Sequence, residues 1–296
     1  MSGTKSWLDN LKLRASVGSL GNGTISPYQY LKLMALKRTS AIIDGNLQTQ
    51  VGPPNNLPDK LTWETVTTYD IGLDADFFNN RLSLVFDYYR KNITDMFTIG
   101  PSLPGVFGAA IPKGNYADLK TRGWELSVQW RNQFDLGGKP LKYSVKAMVW
   151  DDRSWVTKYN NPTRKLSDHY EGKRIGEIWG YEVAGLFRSQ QEIDDHADQS
   201  LLRVSDTNIL LPGDLKFVDR DGSGRIDNGQ NTVDNPGDLK KIGNTEARYN
   251  FGLNFNTSWN GIGLSMFFQG VGKRDWYPHR ESAFFWGKYN RPYSFH

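Results

Sequence analysis

The sequence predicts an all-β fold, an antiparallel transmembrane β-barrel, and three observations lead to that prediction. Stretches of period-two alternation put apolar residues on one face of each predicted strand and polar residues on the other. The connections between these strands alternate between long and short along the chain. Aromatic residues make up 13% of the 296 residues, yet no segment approaches the ~20 apolar residues of a membrane helix. Barrel strands bury only one face each in lipid, so a membrane barrel accounts for all three observations.

The alternation is clearest in a hairpin over residues 69–93, which predicts strands at 69–78 and 81–93. One face of this hairpin is almost wholly apolar, and the other is polar or acidic. Asn79-Asn80 forms the predicted turn, because asparagine tolerates the left-handed backbone conformation of tight turns. Each arm has about ten residues, which matches the roughly 9–11 residues that a barrel strand needs to cross a bilayer.

The same pattern predicts five further strands. They lie near residues 11–18, 121–131, 141–150, 249–259 and 262–270. Two more short turns are predicted, one at 135–140 and one at the hairpin signal Asn260-Gly261. Irregular loops are predicted where Gly, Pro and Asn are frequent, at 19–68, 94–120 and 151–247. Outer-membrane barrels have this asymmetry, with short periplasmic turns and long extracellular loops.

The number of predicted strands bears on the size of the barrel. Seven strands are too few, and odd in number, for a single-chain bacterial barrel, and the opening residues contain no signal-peptide pattern. We therefore expect the chain to be an internal or carboxyl-side part of a larger barrel. On periodicity alone, a soluble antiparallel sheet that buries one face in a core remains an alternative.

Composition excludes several other classes of protein. The absence of cysteine excludes a disulfide scaffold and a Cys-ligated metal site. The net charge of +4 is spread along the chain without a basic block, so the sequence predicts no nucleic-acid partner. Two soluble alternatives stay open: a calcium-stabilised carbohydrate-binding β-sandwich, and a glycoside hydrolase that uses a carboxylate pair among Asp74, Asp76 and Asp87. In a barrel, these three carboxylates are expected to face the lumen and to pair with Lys or Arg on neighbouring strands.

Six sequence blocks carry a resemblance to a known family. They are LKLRASVGSLGNGTISPYQYL (11–31), LTWETVTTYDIGLDADFFNNRLSLVFDYYRKNITDMF (61–97), NYADLKTRGWELSVQW (115–130), IGEIWGYEVAGLFRSQQEID (175–194), GDLKFVDRDGSGRIDNGQN (213–231) and IGNTEARYNFGLNFNTSWNGIGLSMFFQG (242–270). In this order the blocks resemble the distal barrel of SusC/RagA-type TonB-linked outer-membrane transporters. The resemblance covers nearly the whole chain.

What the resemblance implies is specific. The chain would be part of a barrel of about 22 strands in the outer membrane of a Bacteroidetes-type Gram-negative bacterium. It would import oligosaccharides, or less often peptides, together with a SusD-like surface lipoprotein. TonB-ExbB-ExbD would act through a plug domain that these 296 residues do not contain. No enzymatic activity is implied.

A calcium-type loop begins at Asp219 and follows the first nine positions of an EF-hand loop, D-x-D-x-S-G-x-I-D. The predicted Ca²⁺ donors are Asp219, Asp221, Ser223, the main-chain carbonyl of Arg225 and Asp227. Gly224 permits the sharp turn and Ile226 anchors the loop. Position twelve is Gln230 instead of the usual bidentate glutamate, so a later acid such as Asp234 is a candidate substitute. The alternative is a surface turn without metal.

Aromatic residues in the predicted loops are candidate contacts for sugar rings or for the partner lipoprotein. They are Trp179, Tyr181, Trp276, Tyr277, Phe285, Trp286 and Tyr289. Packing within the loops or at the membrane interface is the favoured interpretation of each one, because Trp and Tyr collect there. Asp194, Asp195 and His196 fall in a short predicted helix and are interpreted as its solvated face.

Overall fold

The architecture comes from a computed structural model of the chain. It describes residues 7–23, 30–54, 56–57, 61–101, 106, 111–202 and 209–277. In chain order the strands are β1 (Leu8–Asn22), β2 (Met34–Ile43), β3 (Asn46–Pro54), β4 (Glu64–Phe77), β5 (Leu82–Ile99), β6 (Lys113–Leu136), β7 (Lys139–Lys158), β8 (Glu177–Tyr181), β9 (Val183–Leu186), β10 (Leu215–Phe217), β11 (Leu239–Asn244), β12 (Arg248–Trp259) and β13 (Ile262–Lys273). A short helix α1 (Gln190–Asp194) and a 3-10 turn (Ser200–Leu202) precede β10. None of the helices in these ranges has the length and apolar character needed to span a membrane.

Seven strands form one antiparallel sheet in the order β1-β4-β5-β6-β7-β12-β13. Each is hydrogen-bonded to its neighbour in a continuous ladder, and β1 and β13 form the two edges. The sheet order follows the chain order, apart from the segments that leave the sheet between β1 and β4 and between β7 and β12. This meander is the topology of a barrel wall.

The strands are longer than the sequence pattern predicts. The expectation of an irregular loop at 94–120 is wrong at both ends, because β5 continues to Ile99 and β6 already begins at Lys113. The pairing of β5 with β6 shifts register near Asp95, whose φ is +58°, and the ladder of backbone hydrogen bonds then resumes. Ladder hydrogen bonds join backbone atoms, so the sheet persists beyond the stretch in which side chains alternate.

A second hairpin lies within the segment predicted as an irregular loop at 19–68. β2 and β3 pair with each other around a turn at Asp44-Gly45, and both turn residues have positive φ. Asp-Gly is a strong sequence signal for such a turn, although no hairpin was predicted at this position. The prediction of an irregular loop is therefore wrong for this part of the segment.

Register gives the seven-stranded sheet one apolar and one polar face. The middle row of the apolar face runs through Leu13, Leu73, Phe86, Leu126, Val149 and Phe251, each opposite the next. Many apolar side chains on this face are open to the surroundings, for example Leu13 at 77% and Ile71 at 64% exposure. The opposite face carries mostly charged, amide and hydroxyl side chains.

All three predicted short turns lie at the same end of the sheet. The turn after β4 has Phe78, Asn79 and Asn80 in the left-handed backbone conformation. The turn between β6 and β7 is Gly137-Gly138, and Asn260-Gly261 joins β12 to β13. Trp259 ties the last two turns together, because its indole Nε1 donates a hydrogen bond of 3.0 Å to the carbonyl of Leu136.

Residues 159–247 form what we call the loop assembly, which joins β7 to β12. It contains two small antiparallel pairs, β8 with β11 and β9 with β10. Its interior holds the largest fully buried side chains of the described residues, Tyr170, Phe187, Ile226 and Asp238. The predicted excursion at 151–247 is therefore a packed unit with its own core, and residues 151–158 belong to β7.

Candidate functional site

An ion-paired bridge lies on the polar face of the sheet. One Arg14 amino group lies 2.8 Å from a carboxylate oxygen of Asp74 and 2.8 Å from one of Asp87, so it joins β1, β4 and β5. Gly72 makes room for this bridge, because a Cβ atom there would lie 2.6 Å from the guanidinium of Arg14. The expected pairing of these two carboxylates with a cation on a neighbouring strand is confirmed.

Asp76 lies on the same face but is held by neutral partners. It accepts a hydrogen bond of 2.6 Å from the Ser83 hydroxyl and one of 3.2 Å from the Asn10 amide. Arg131 donates to the Ser83 hydroxyl at 3.0 Å, so the cation reaches Asp76 only through this serine. Direct pairing of Asp76 with a cation, expected from the sequence, is therefore wrong.

Glu177 is the centre of a hydrogen-bond cluster in the loop assembly, and its side chain is only 3% exposed. It accepts hydrogen bonds from the Tyr170 hydroxyl and from the Trp179 indole, the latter at 2.9 Å, and Lys241 Nζ lies 3.0 Å from its other oxygen. Burial raises the pKa of Glu177, but these three donors outweigh burial, so the net shift is downward. The carboxylate therefore stays ionised inside the loop assembly.

The predicted aromatic contacts occupy different environments. Trp179 bonds Glu177 and lies under the ammonium of Lys241, 5.4 Å from the ring centroid. Tyr181 packs on Phe217 with ring centroids 5.5 Å apart, and burial raises the pKa of Tyr181. Both rings thus belong to the internal packing of the loop assembly.

Two other predicted aromatic contacts are open to solvent. Trp276 is 66% exposed and Tyr277 is 60% exposed, just beyond the end of β13. Phe285, Trp286 and Tyr289 lie outside the described residues.

The predicted helix around Asp194 is α1, and its caps explain why it forms. Ser189 accepts a hydrogen bond from the Glu192 amide, while Glu192 accepts one from the amide of Arg188, the residue before the N-cap, which is similar to a capping box. Asp195 accepts from Gln191 on the helix surface. His196 departs from the predicted solvated face, because its Nε2 lies 2.9 Å from the Phe217 carbonyl and its ring packs edge-on against Phe187.

The calcium-type loop is closed around Asp219. The carboxylate of Asp219 accepts hydrogen bonds of 2.8 Å from the amides of Gly222 and Gly224, both of which have positive φ. Hydrogen bonds with Ser223 lower the pKa of Asp221. Ile226 is completely buried, as its predicted anchoring role requires.

A third carboxylate, Asp238, joins Asp219 and Asp221. One oxygen from each of the three lies within 4.8 Å of the others. Asp238 is fully buried, and its oxygens accept hydrogen bonds from the amides of Arg220 at 2.6 Å and Asp227 at 2.9 Å. Three carboxylates held this close repel one another, and oxygen donors in such a cluster suit a hard cation.

The remaining predicted donors make hydrogen bonds within the loop. Asp227 accepts a hydrogen bond of 2.7 Å from the Gly229 amide, and the Ser223 hydroxyl donates to the Arg225 carbonyl at 2.9 Å. The predicted substitute acid, Asp234, is ion-paired with Arg164 at 2.9 Å and is not part of the carboxylate cluster.

Asp238 escaped sequence reasoning because it lies outside the twelve-residue loop. It reaches the loop through a close backbone approach at Gly237, where a Cβ atom would lie 2.6 Å from the Asp227 carbonyl oxygen. The only sequence signal is Gly237 itself, whose φ of +57° favours glycine.

The two-faced sheet has the character of a barrel wall, and a comparison with known families assigns the chain. A family model described as "TonB dependent receptor-like, beta-barrel" matches residues 6–293. The chain belongs to this family. The predicted fold class and the SusC/RagA resemblance are thereby confirmed, and the exposed apolar face of the sheet is the lipid-facing side of a barrel wall.

Curated relatives agree with this assignment. The chain is 29% identical to TonB-dependent receptor P3 of Formosa agariphila over 283 residues, which is 87% of this chain and 25% of the relative. It is 26% identical to TonB-dependent receptor SusC of Bacteroides thetaiotaomicron over 244 residues, which is 76% of this chain and 22% of that protein. The chain thus spans about a quarter of the length of the curated relatives that it matches.

Solved structures share the fold. A structure of the RagAB peptide transporter superposes with a TM-score of 0.63 at 21% identity, covering 89% of this chain and 26% of the solved chain. The RagAB peptide importer in its "open-open" state superposes with a TM-score of 0.61 at 20% identity, covering 91% and 27%.

Proposed function

We propose that the chain is part of the wall of a TonB-dependent outer-membrane transporter that imports oligosaccharides or peptides. The observation that carries the proposal is the sheet itself, with an exposed apolar face toward lipid and a polar, ion-paired face toward a lumen. A hydrated lining of charged and amide groups suits the passage of polar solutes. The name of a structural neighbour, the RagAB peptide transporter, supports peptides, and the resemblance to SusC/RagA-type transporters supports oligosaccharides.

A SusD-like surface lipoprotein is the proposed partner at the extracellular end. In this proposal the long connections, including the loop assembly, face the cell exterior and the short turns face the periplasm. Trp276 and Tyr277 lie at the long-loop end and are 66% and 60% exposed, so they are candidate contacts for the lipoprotein or for a sugar ring. TonB-ExbB-ExbD would drive import through a plug domain of the longer protein.

Uptake by living cells tests this function. A strain that lacks the full-length gene is compared with its parent and with a strain that lacks TonB, using labelled oligosaccharides and labelled peptides. We expect uptake of one solute class to fall to the same residual level in both mutant strains, and a SusD-like lipoprotein to co-purify with the full-length protein. Uptake that is independent of TonB would contradict the transporter assignment. A full-length protein that is monodisperse without detergent would instead favour the soluble carbohydrate-binding alternative.

We propose in addition that the loop assembly binds one structural Ca²⁺ through Asp219, Asp221 and Asp238. The three carboxylates supply hard oxygen ligands, and the cation would relieve their mutual repulsion. Two of the three close the ends of the loop segment 219–238, so a bound ion would tie this segment together. The role is structural, because the cluster packs on the core formed by Ile226 and its neighbours.

Calcium removal from the full-length protein tests the site. We expect Ca²⁺, added after EDTA treatment, to raise the unfolding temperature of the loop assembly, and Asp238→Asn to abolish that rise. Asp234→Asn is the matched control, because Asp234 pairs with Arg164 outside the cluster. An unfolding temperature that does not respond to EDTA, or an equal response in both variants, would refute the calcium site.

A further inference from the structure

A row of three arginines crosses the apolar face of the sheet. Arg90 on β5 is directly opposite Arg122 on β6, which is directly opposite Arg153 on β7. All three are exposed, and they alternate in register with Tyr88 and Trp124, so they project from the same face as the apolar side chains. Lys120 lies two residues before Arg122 on β6, so it is on the same face, and it is opposite Trp155 on β7.

No member of this row forms an ion pair within the described part of the chain, and the nearest carboxylate on the same face, Asp151, is already bound by Arg248. Like charges placed directly opposite each other destabilise a pair of strands. Two other arginines in the sheet are balanced: Arg14 pairs with two aspartates, and Arg248 forms a two-pronged pair with Asp151. By contrast, none of the ion pairs formed among the described residues includes a member of the row.

A fourth guanidinium adds to the excess of positive charge. Arg174 of the loop assembly forms a backbone bridge with Trp155, beside Arg153. Its Nε and one amino nitrogen are buried and have no hydrogen-bond partner among the described residues. Burial, followed by the neighbouring Arg153 and Arg248, lowers the pKa of Arg174. An anion bound at the row would relieve this repulsion.

The height of the row on the barrel wall identifies its surroundings. Eight residue steps separate Leu82, where β5 begins at the short-turn end, from Arg90. They span about 26 Å of strand, or about 20 Å along the membrane normal at a tilt of about 40°. The apolar band of a barrel is about 25 Å tall and is bordered by aromatic residues, here Tyr88 and Trp124. The backbone of the row therefore lies just inside the long-loop border of the apolar band, from which long arginine side chains reach the lipid headgroups.

A depression beside the row has the chemistry of a phosphate site. It has a volume of about 350 Å³, and Lys120, Arg122 and Trp155 contribute to its lining. A guanidinium group binds two phosphate oxygens at once through parallel hydrogen bonds, and a lysine ammonium adds a point charge. Both strands that flank β5–β7 in the sheet, β4 and β12, belong to this chain, so the lipid-facing side of the row does not depend on other parts of the barrel.

We infer that this row, defined by Arg90, Lys120, Arg122 and Arg153, binds the phosphorylated headgroup of a lipid in the outer leaflet. The inference rests on the orientation proposed above, in which the long loops face the cell exterior. It is independent of the transported solute, because the row faces away from the lumen.

Binding of a purified phosphorylated lipid to the delipidated full-length protein tests the inference. The probes are lipid A, the same lipid after enzymatic removal of its phosphates, and inorganic phosphate, with binding followed by native mass spectrometry and by thermal unfolding. We expect lipid A to bind and to raise the unfolding temperature, while the dephosphorylated lipid and inorganic phosphate have much weaker effects. A basic residue near an anionic surface contributes about fivefold in affinity. Arg122→Gln combined with Arg153→Gln should therefore weaken lipid A binding about 25-fold.

Lys146→Gln is the matched control, because Lys146 is a cation on the polar face of the same strand, β7. It should leave lipid binding unchanged. Replacing both arginines with lysine keeps the charge, so this folded variant should retain most of the binding even where the glutamine variant assembles poorly. Equal binding of lipid A and its dephosphorylated form, or an equal loss in the Lys146→Gln control, would overturn the inference. A response to inorganic phosphate as large as that to lipid A would also overturn the assignment to a lipid. Loss of solute uptake in cells would not bear on these binding results.

Discussion

The seven-stranded sheet and the loop assembly place their large apolar side chains in opposite ways. In the loop assembly Phe187 is 2% exposed and Ile226 is completely buried, as in an ordinary soluble protein. In the sheet Leu13 is 77% exposed and Val17 is 71% exposed. The same chemical preference acts in both regions, but the solvent differs: water surrounds the loop assembly and lipid surrounds the outer face of the sheet. Whether exposure of a leucine is favourable therefore depends on whether water or lipid surrounds it.

Removing the core of the loop assembly should have the largest effect. Phe187→Ala is expected to cost about 3–5 kcal/mol, because a buried aromatic ring is replaced by a cavity. The loss should be confined to residues 159–247, since the wall has its own hydrogen-bond ladder. Peptide-resolved hydrogen exchange of the full-length protein measures it, with Leu186→Ala, at an exposed site, as the control. Equally faster exchange throughout β4–β7 would show that the two regions do not unfold independently.

A charge on the lipid face should destabilise the sheet instead of the loop assembly. Leu126→Arg is expected to cost about 2–4 kcal/mol, because Leu126 lies in the middle row of the apolar face and an arginine there enters hydrocarbon. The fraction of full-length protein that folds into bilayers, followed by heat-dependent gel mobility, reports the cost. Ser127→Arg places the same charge one residue away on the polar face and should be tolerated. If both variants fold equally well, the assignment of the two faces is wrong.

Acid should loosen the loop assembly. Because the pKa of Glu177 is lowered, its contribution is fully present above the ordinary glutamate pKa and is lost as the pH falls below about 4.3. Glu177→Gln removes the charge that Tyr170, Trp179 and Lys241 stabilise, at a cost of roughly 1.5–3 kcal/mol. Hydrogen exchange of the loop assembly between pH 7 and 3.5 should lose its acid step in this variant. Retention of the full step would assign it to another carboxylate.

The smallest effect is expected on the lumenal side of the sheet. Arg14 is about a third exposed (33%), so its pairs with Asp74 and Asp87 are screened by water. Arg14→Gln should therefore lower the free energy of unfolding hardly more than Lys12→Gln on the same strand does. Chemical unfolding of the full-length protein in detergent compares the two variants. A clearly larger loss for Arg14→Gln would mean that the pair is effectively buried.

The wall was predictable because period two and short turns are local signals. Alternation placed Leu126 and Ser127 on opposite faces, and register in the structure keeps those faces through all seven strands. Strand length beyond the bilayer was not predictable, since backbone pairing continues past the last alternating residue, as it does beyond Asp95.

The loop assembly was less predictable because its contacts join residues that are distant in the chain. The twelve-residue loop at Asp219 was found by its spacing, but Asp238 reaches it only through the fold. Glu177 and Lys241 come together because β8 pairs with β11, and the periodicity of the sequence does not predict this pairing. Trp179 was proposed as a candidate for sugar contact, and only the folded packing shows its bond to Glu177.

The buried pair of Arg248 with Asp151 has a consequence for how such proteins diversify. β7 and β12 are neighbours in the wall, and this pair joins them at the base of the loop assembly. Because the two strands already meet there, the intervening segment starts and ends at adjacent points, like a domain inserted into a host. A segment inserted in this way can be replaced by a different one, because the replacement needs only closely spaced termini. The loop assembly is thus free to change over evolutionary time while the strands that carry it keep their register.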